Sequence, residues 1–491
     1  MAWCTVVGLS ASSGVPLFVR HAGPGKPPAY ALIGSLNGVH VFGESHGVTL
    51  CSTRTSNATL TWKTYHDSIR LVLIRGSEVV GDSCDNRLLD LMFASLVLIQ
   101  GLDNLTSGTN IERLKREIRP SYLLLDELLS RAMSSSNNPG FSHLTGCAEC
   151  VIPPDQHLLQ SELEKYAEGA DSSCACVMMN GQVVSGTRSF WSLSHTELVL
   201  LPLLVALNTS TVGRDLPIYL PDKSPNVPFR MLVVKLTGHV SVVTLCGPTP
   251  SLSEMMRSAS SLWAPVYQVL ESLTTLMPWN IAPSLLSQID NSVIGLVLIN
   301  YDHKKCVCCV HLSEDSKSPS LNAAKKSAAL QSVYRTVVGS LLQPPAMPPD
   351  DFPSRLHPDH TPLESYVSTD NYKVYVMQSS PYHLLVLYPP ALPIQIARFI
   401  IITTSSTPAP RSSHQGMATA EELPTFSVQT LPPCLLKVSQ RSFPPLPNIL
   451  LHPIPPFHWR LSASIPFLYL THIHPSGHLT LLYSLHVAKP L

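Results

Sequence analysis

The side chains best suited to chemistry are concentrated in two cysteine clusters. Cys147-Ala148-Glu149-Cys150 spaces two thiols as in half of a tetrahedral zinc site, and Cys174 and Cys176 are the candidates for the other half. Cys-x-Cys on a strand, however, sends both thiols to one face, which is a poor chelating geometry. A redox pair would sit at a βα junction. The competing reading is small buried hydrophobes at a domain junction. The second cluster is Cys306, Cys308 and Cys309 with His303 and His311. On a strand, Cys306 and Cys308 share a face and Cys309 turns away, so core packing competes with metal binding here too.

Other chemistry is missing from the sequence. There is no phosphate loop, nucleophile elbow, zinc-protease helix or dinucleotide fingerprint. The glycines of residues 34–38 lack phosphate-cradling spacing and read as permitting close helix–sheet packing. His452, His458, His472, His474 and His478 lack ligand spacing. The basic run Arg113, Lys115, Arg116 and Arg119 suits acidic lipid or a GTPase, or else a solvated helix face. The expectation is a protein without catalytic residues, metal or cofactor.

Composition narrows the class further. The 491 residues carry 33 basic and 33 acidic side chains, so the formal net charge is zero. Nucleic acid or an anionic membrane as main partner would favour a basic excess. Charged residues make up 13%, against about a quarter in an ordinary soluble protein, so apolar surface is expected to need a partner's cover. The 12 cysteines show no small-framework spacing. With no basic leader region, the apolar start reads as a strand and the thiols as reduced and cytosolic. The sequons at Asn57, Asn104 and Asn208 are then chance matches. The apolar runs 91–99, 198–207 and 394–402 are too short for a membrane span, and Arg398 interrupts the last.

The elements that would position these residues fall into three units. Strands at 4–9 and 15–20 around Ser12-Ser13-Gly14 lead to a helix at 29–42, then strands at 48–53, 58–65 and 69–74. A helix apolar nearly all round, 88–99, reads as buried, and an amphipathic helix at 110–130 should bend at Pro120. The second unit has a helix at 155–170, a hairpin at 174–186 around Asn180-Gly181, and an apolar helix at 196–207. A hairpin at 231–245 and a helix at 251–276, kinked near Pro265, complete it. The third has strands at 293–300 and 305–312, a helix at 321–342, and strands at 366–368, 372–377 and 382–388. This is an α+β plan: antiparallel sheets flanked by helices. The expected domains are 1–135, 145–280 and 288–388. After them, 18 of the 44 prolines but only 8 charged residues fall between 381 and 491. The tail 389–491 is therefore expected to have no stable fold of its own.

Several segments carry a family resemblance. They are Ser12-Ser13-Gly14-Val15-Pro16-Leu17-Phe18, Ile33-Gly34-Ser35-Leu36-Asn37-Gly38-Val39-His40, His66-Asp67-Ser68-Ile69 and Glu112-Arg113-Leu114-Lys115. Cys150-Val151-Ile152-Pro153-Pro154, Tyr219-Leu220-Pro221 and Leu245-Cys246-Gly247-Pro248 complete the set. Spread in order over 5–388, they resemble the Fuzzy family of planar cell polarity effectors. The resemblance implies three longin-type domains and the company of Inturned and Fritz. It implies a role with Inturned as a nucleotide exchange factor for a Rab GTPase in ciliogenesis and Hedgehog signalling. The place implied is the cytoplasm, the cytoskeleton and the cilium basal body, with peripheral membrane association. It also implies a closing helix after the strand near 382–387, where this chain has its proline-rich tail.

Exchange needs no nucleophile, only tighter binding of the nucleotide-free GTPase, so the lack of an active site is compatible with it. The helix at 29–42 and the edge strand at 48–53 are the expected partner face. Leu32, Leu36 and Val39 would pack on the sheet, leaving Asn37, His40 and Val41, with Val48 and Leu50, for the partner. The other readings are a trafficking adaptor without exchange activity and a thiol or zinc protein using Cys147 and Cys150.

Overall fold

The computed structural model describes residues 3–76, 82–107, 110–133, 140–207, 212–276, 280–287, 289–310, 323–338, 364–379, 381–393 and 478–482. The first unit opens with the hairpin β1 (Cys4–Ser10) and β2 (Pro16–Ala22), crosses through α1 (Tyr30–Ser45), and returns as β3 (Thr49–Arg54), β4 (Ala58–Tyr65) and β5 (Ile69–Gly76). Every residue of β1 and β5 is buried, as central strands covered on both faces must be. The helices α2 (Asp82–Gln100), α3 (Leu102–Thr106), α4 (Ile111–Ile118) and α5 (Tyr122–Ala132) follow. Asn110 caps α4 by accepting from the backbone N–H of Glu112 and Arg113. The continuous helix expected over 110–130 is two helices, because Pro120 lies in a 3₁₀ turn, Arg119–Ser121, that separates them.

A short connector holds α6 (Ser142–Thr145) and the two-residue strand β6 (Ala148–Glu149). The second unit then runs α7 (Gln156–Gly169), β7 (Cys174–Met179), β8 (Gln182–Gly186), α8 (Arg188–Trp191) and α9 (His195–Ala206). It continues through β9 (Gly213–Leu220), β10 (Ser224–Lys235), β11 (Val240–Cys246), α10 (Leu252–Leu262) and α11 (Tyr267–Ser272). Asn180 and Gly181 both take positive φ in the β7–β8 turn, as a two-residue hairpin loop demands. Capping boxes at Ser194–Glu197 and Ser251–Glu254 start α9 and α10.

After α12 (Pro283–Leu286), the third unit comprises β12 (Gly295–Asn300), β13 (Lys305–Cys309), α13 (Ala323–Val333), β14 (Glu364–Ser368), β15 (Lys373–Ser379) and β16 (Tyr382–Tyr388). The place of the expected closing helix, from 394 onward, lies outside the described residues. Within the tail, His478–Leu482 form a strand, β17, five residues long and at the edge of its sheet, as the proline spacing allows.

The three units share one topology. Their strand orders are β2-β1-β5-β4-β3, β8-β7-β11-β10-β9 and β13-β12-β16-β15-β14, each antiparallel throughout. Two parallel additions break the pattern: β17 on the outer edge of β3, and β6 on the outer edge of β13. α2, apolar nearly all round from Leu88 onward, lies between units, touching β4 and β5 of the first sheet and β9 and α9 of the second unit.

Candidate partner-binding face

The orientation of α1 is set by one buried cation. Arg70 sits in β5 between Ile69 and Leu71 and is 2% exposed. A buried guanidinium must find acceptors. Arg70 donates from Nη1 to Asn37 Oδ1 at 3.1 Å, from Nη2 to Glu44 Oε1 at 2.9 Å, and from Nε to Thr64 Oγ1 at 3.2 Å. Asn37 and Glu44 stand two turns apart on one stripe of α1, with Ile33 and His40 on the same side. That stripe therefore faces the sheet.

The burial pattern reverses the expectation for Leu32 and Val39, which point outward, and for His40, which is 2% exposed. His40 Nδ1 lies 3.4 Å from Glu44 Oε1. Burial, reinforced by the Arg70 charge, pushes the His40 pKa down, so the ring is neutral at physiological pH. Leu50 is also a core residue, 3% exposed, in a cluster with Ile33, Leu60 and Trp62. Of the five residues expected at a partner face, Val41 is exposed, Val48 and Asn37 are half-buried, and His40 and Leu50 are inside. The signal that could have found this was Arg70 itself, one of two arginines in an otherwise apolar strand; the other, Arg75, pairs with Asp85 of α2.

Three of the four segments that carry the family resemblance in this unit, 12–18, 33–40 and 66–69, meet at one end of the sheet. Gly14 has φ +68°, and a Cβ there would overlap the Asn37 carboxamide. The β1–β2 turn also reaches the β4–β5 turn, where Ala11 N–H donates to Ser68 O at 2.8 Å. His66 and Asp67 of that second turn both take φ of 49°.

With its polar stripe turned inward, α1 shows solvent an apolar one. Tyr30 is 74% exposed and Phe42 58%, and Leu32, Val39 and Val41 are exposed beside them. No Asp, Glu, Lys or Arg occurs from Tyr30 to Gly43. Together these exposed side chains make a charge-free apolar patch on the helix surface. β3 lies next to α1 in the fold, at the side of the sheet where β17 is added.

The cysteine motifs have a different role. Cys147, Cys150, Cys176, Cys306, Cys308 and Cys309 are all buried. Burial pushes the thiols of Cys147, Cys150 and Cys174 up to about 12, away from the thiolate that metal binding or nucleophilic attack requires. His303 is exposed in the β12–β13 turn, and His311 lies outside the described residues. Among the described residues, no group of three or more His, Cys, Asp and Glu is placed to hold a metal. The segment from Cys147 to Ile152 instead joins two sheets. Cys150 N–H donates to Cys306 O of β13 at 2.8 Å, and Val151 N–H to Val183 O of β8 at 2.9 Å. The basic run on α4 is partly neutralised, with Arg113 paired to Glu117 at 2.6 Å and Lys115 to Glu112 at 2.8 Å.

Comparison with known proteins agrees with the threefold plan. Residues 6–128, 171–264 and 292–407 match the families described as the first, second and third longin domains of FUZ, MON1 and HPS1, respectively. The chain is similar to the protein fuzzy homolog of Rattus norvegicus, 35% identical over 364 residues, covering 73% of this chain and 85% of that protein. The Homo sapiens homolog is 35% identical over 364 residues, covering 73% and 84%. The Xenopus tropicalis homolog is 34% identical over 397 residues, covering 78% and 93%. The chain, built of three longin domains, belongs to the Fuzzy family.

Proposed function

We propose that the chain is a non-catalytic subunit that pairs with Inturned through its first longin domain, the pair acting as a guanine-nucleotide exchange factor for a Rab GTPase. The observation that carries this reading is the uncharged apolar stripe of α1, from Tyr30 to Phe42, lying beside β3, the strand whose outer side only the tail strand β17 occupies among the described residues. A second longin protein can cover such a stripe with its own helix and extend the sheet from β3. Exchange then follows from shape: the pair binds the nucleotide-free GTPase more tightly than the loaded form. Fritz is the third member of the proposed assembly, which serves ciliogenesis, planar cell polarity and Hedgehog signalling in the cytoplasm, at the cytoskeleton and the cilium basal body. Its contact with membrane is peripheral in this reading. No helix among the described residues is long and apolar enough to cross a bilayer.

Co-purification with Inturned, followed by nucleotide release over a panel of Rab GTPases, tests the proposal. Release by the pair, and by neither chain alone, is the expected result. Stable pairing without release from any Rab would leave a trafficking adaptor, and failure to pair would reject the reading altogether.

A further inference from the structure

We propose that the chain regulates its own docking edge: β17 is a tethered plug that occupies the outer side of β3 and has to leave before a partner strand can pair there. This rests on the reading of α1 and β3 as the docking face and adds a control to it. The pairing is parallel, with His478 opposite Thr49, Leu479 opposite Leu50, Leu481 opposite Thr53 and Leu482 opposite Arg54. It breaks register between Leu479 and Leu481. Among the described residues, the corresponding third strands of the other units, β9 and β14, have one strand neighbour each, whereas β3 has two.

The sequence around β17 is suited to this use. Residues 476–489 contain no proline, in a tail otherwise broken by it, so every residue there keeps the backbone N–H that strand pairing needs. The contact is between backbone groups and asks little of side-chain identity, so an incoming strand of another protein can replace it. Between residue 393 and β17 lie 84 residues, 394–477. A link of that length lowers the effective concentration of the plug at β3, while its closure cost grows only with the logarithm of its length. Both features suit an edge that is covered when the chain is alone and exchangeable when a partner arrives. An unpaired edge beside an exposed apolar helix is otherwise a site for aggregation.

The test compares the full chain with a chain ending at 477 and with Leu481→Pro, which keeps the tail length but removes a donor. Hydrogen exchange is read at the amides of Thr49–Arg54, and affinity is measured with purified Inturned as the probe. Faster exchange at β3 in both variants, with binding about tenfold tighter than in the full chain, is the expected result. Unchanged protection of β3 overturns the plug. Faster exchange with equal, measurable affinity in all three overturns the gating. No binding by any of the three rejects the docking reading itself, and the gate with it.

Discussion

Arg70 Nη1 donates to Asn37 Oδ1 at 3.1 Å, and this contact between a central strand and a helix determines which side of α1 the protein shows to solvent. The polar residues of the helix are spent on a buried cation, and its apolar ones remain outside. Replacing Arg70 by Ala removes the donor for Asn37, Glu44 and Thr64. The expected cost is about 2 kcal/mol, the order found when hydrogen bonds to a buried group are broken. Urea unfolding measures the loss, and faster hydrogen exchange in α1 locates it.

The outward stripe can be altered without disturbing the core. Leu32→Asp and Phe42→Asp should change stability by no more than about 0.5 kcal/mol, as exposed substitutions usually do. Inturned binding should fall at least about tenfold, since each places an unpaired charge in an apolar contact. His40→Asp is the contrasting variant. It buries a carboxylate where a neutral ring sits, and a lowered melting temperature is expected. Normal binding by both surface variants would remove this helix face from the interface.

Legibility from sequence was uneven, and for physical reasons. Elements whose signal is local were readable: the apolar α2, the Asn180-Gly181 turn and the three-unit order of strands and helices. The face of α1 was not, because Leu32, Leu36 and Val39 form as regular a stripe as Ile33, Asn37, His40 and Glu44. Only the distant Arg70 selects between them. β9 was hidden by Pro217, and the first half of β10 by Pro225 and Pro228. Proline is tolerated in β9 because it is an edge strand. A two-residue strand such as β6 has no periodicity, and its pairing is set by partners more than 150 residues away.

Buried histidines predict an acid limit to stability. His383, in β16, lies edge-on to Tyr301 at 4.9 Å, and neither ring nitrogen has a hydrogen-bond partner among the described residues. Burial lowers its pKa from 6.5 to about 4. His143 is also buried, without hydrogen-bond partners among the described residues, and burial lowers its pKa too, with Arg335, Arg131, Arg75 and Arg87 adding to the effect. The unfolded chain takes up these protons near pH 6.5 and the folded chain resists them. Stability is therefore complete above about pH 6.5 and falls as the pH drops towards 4. His383→Leu should flatten part of that slope, by an amount of order 2–3 kcal/mol across the range. Denaturant midpoints measured from pH 7.5 to pH 4.5 check this. An unchanged slope in the variant would mean that His383 titrates normally in the folded protein.

Thiol chemistry gives a further check on the cysteine clusters. With pKa pushed up to about 12, the Cys147 and Cys150 thiols are ionised to roughly one part in ten thousand at pH 8. Iodoacetamide should label the exposed Cys51 in the native protein and reach Cys147 and Cys150 only after denaturation. Fast native labelling of either, or stoichiometric zinc in the purified protein, would revive a chemical role for the motif.

The same motif is the place to ask whether the second and third domains unfold together. Val151 N–H bonds to Val183 O in the second sheet, while Cys150 N–H, one residue earlier, bonds to Cys306 O in the third. Val151 is 2% exposed and also packs in the core of the second domain. Val151→Pro removes the first of these donors and leaves the second in place, so it loosens one side of the joint. A proline that deletes a buried backbone bond costs about 3 kcal/mol. If the stretch from Cys147 to Ile152 couples the domains, hydrogen exchange in β7 and β8 should speed up while β12 and β13 keep their protection. A single calorimetric transition should then split or broaden. Uniform destabilisation of both sheets, with the transition still single, would show that the coupling between them runs through other contacts.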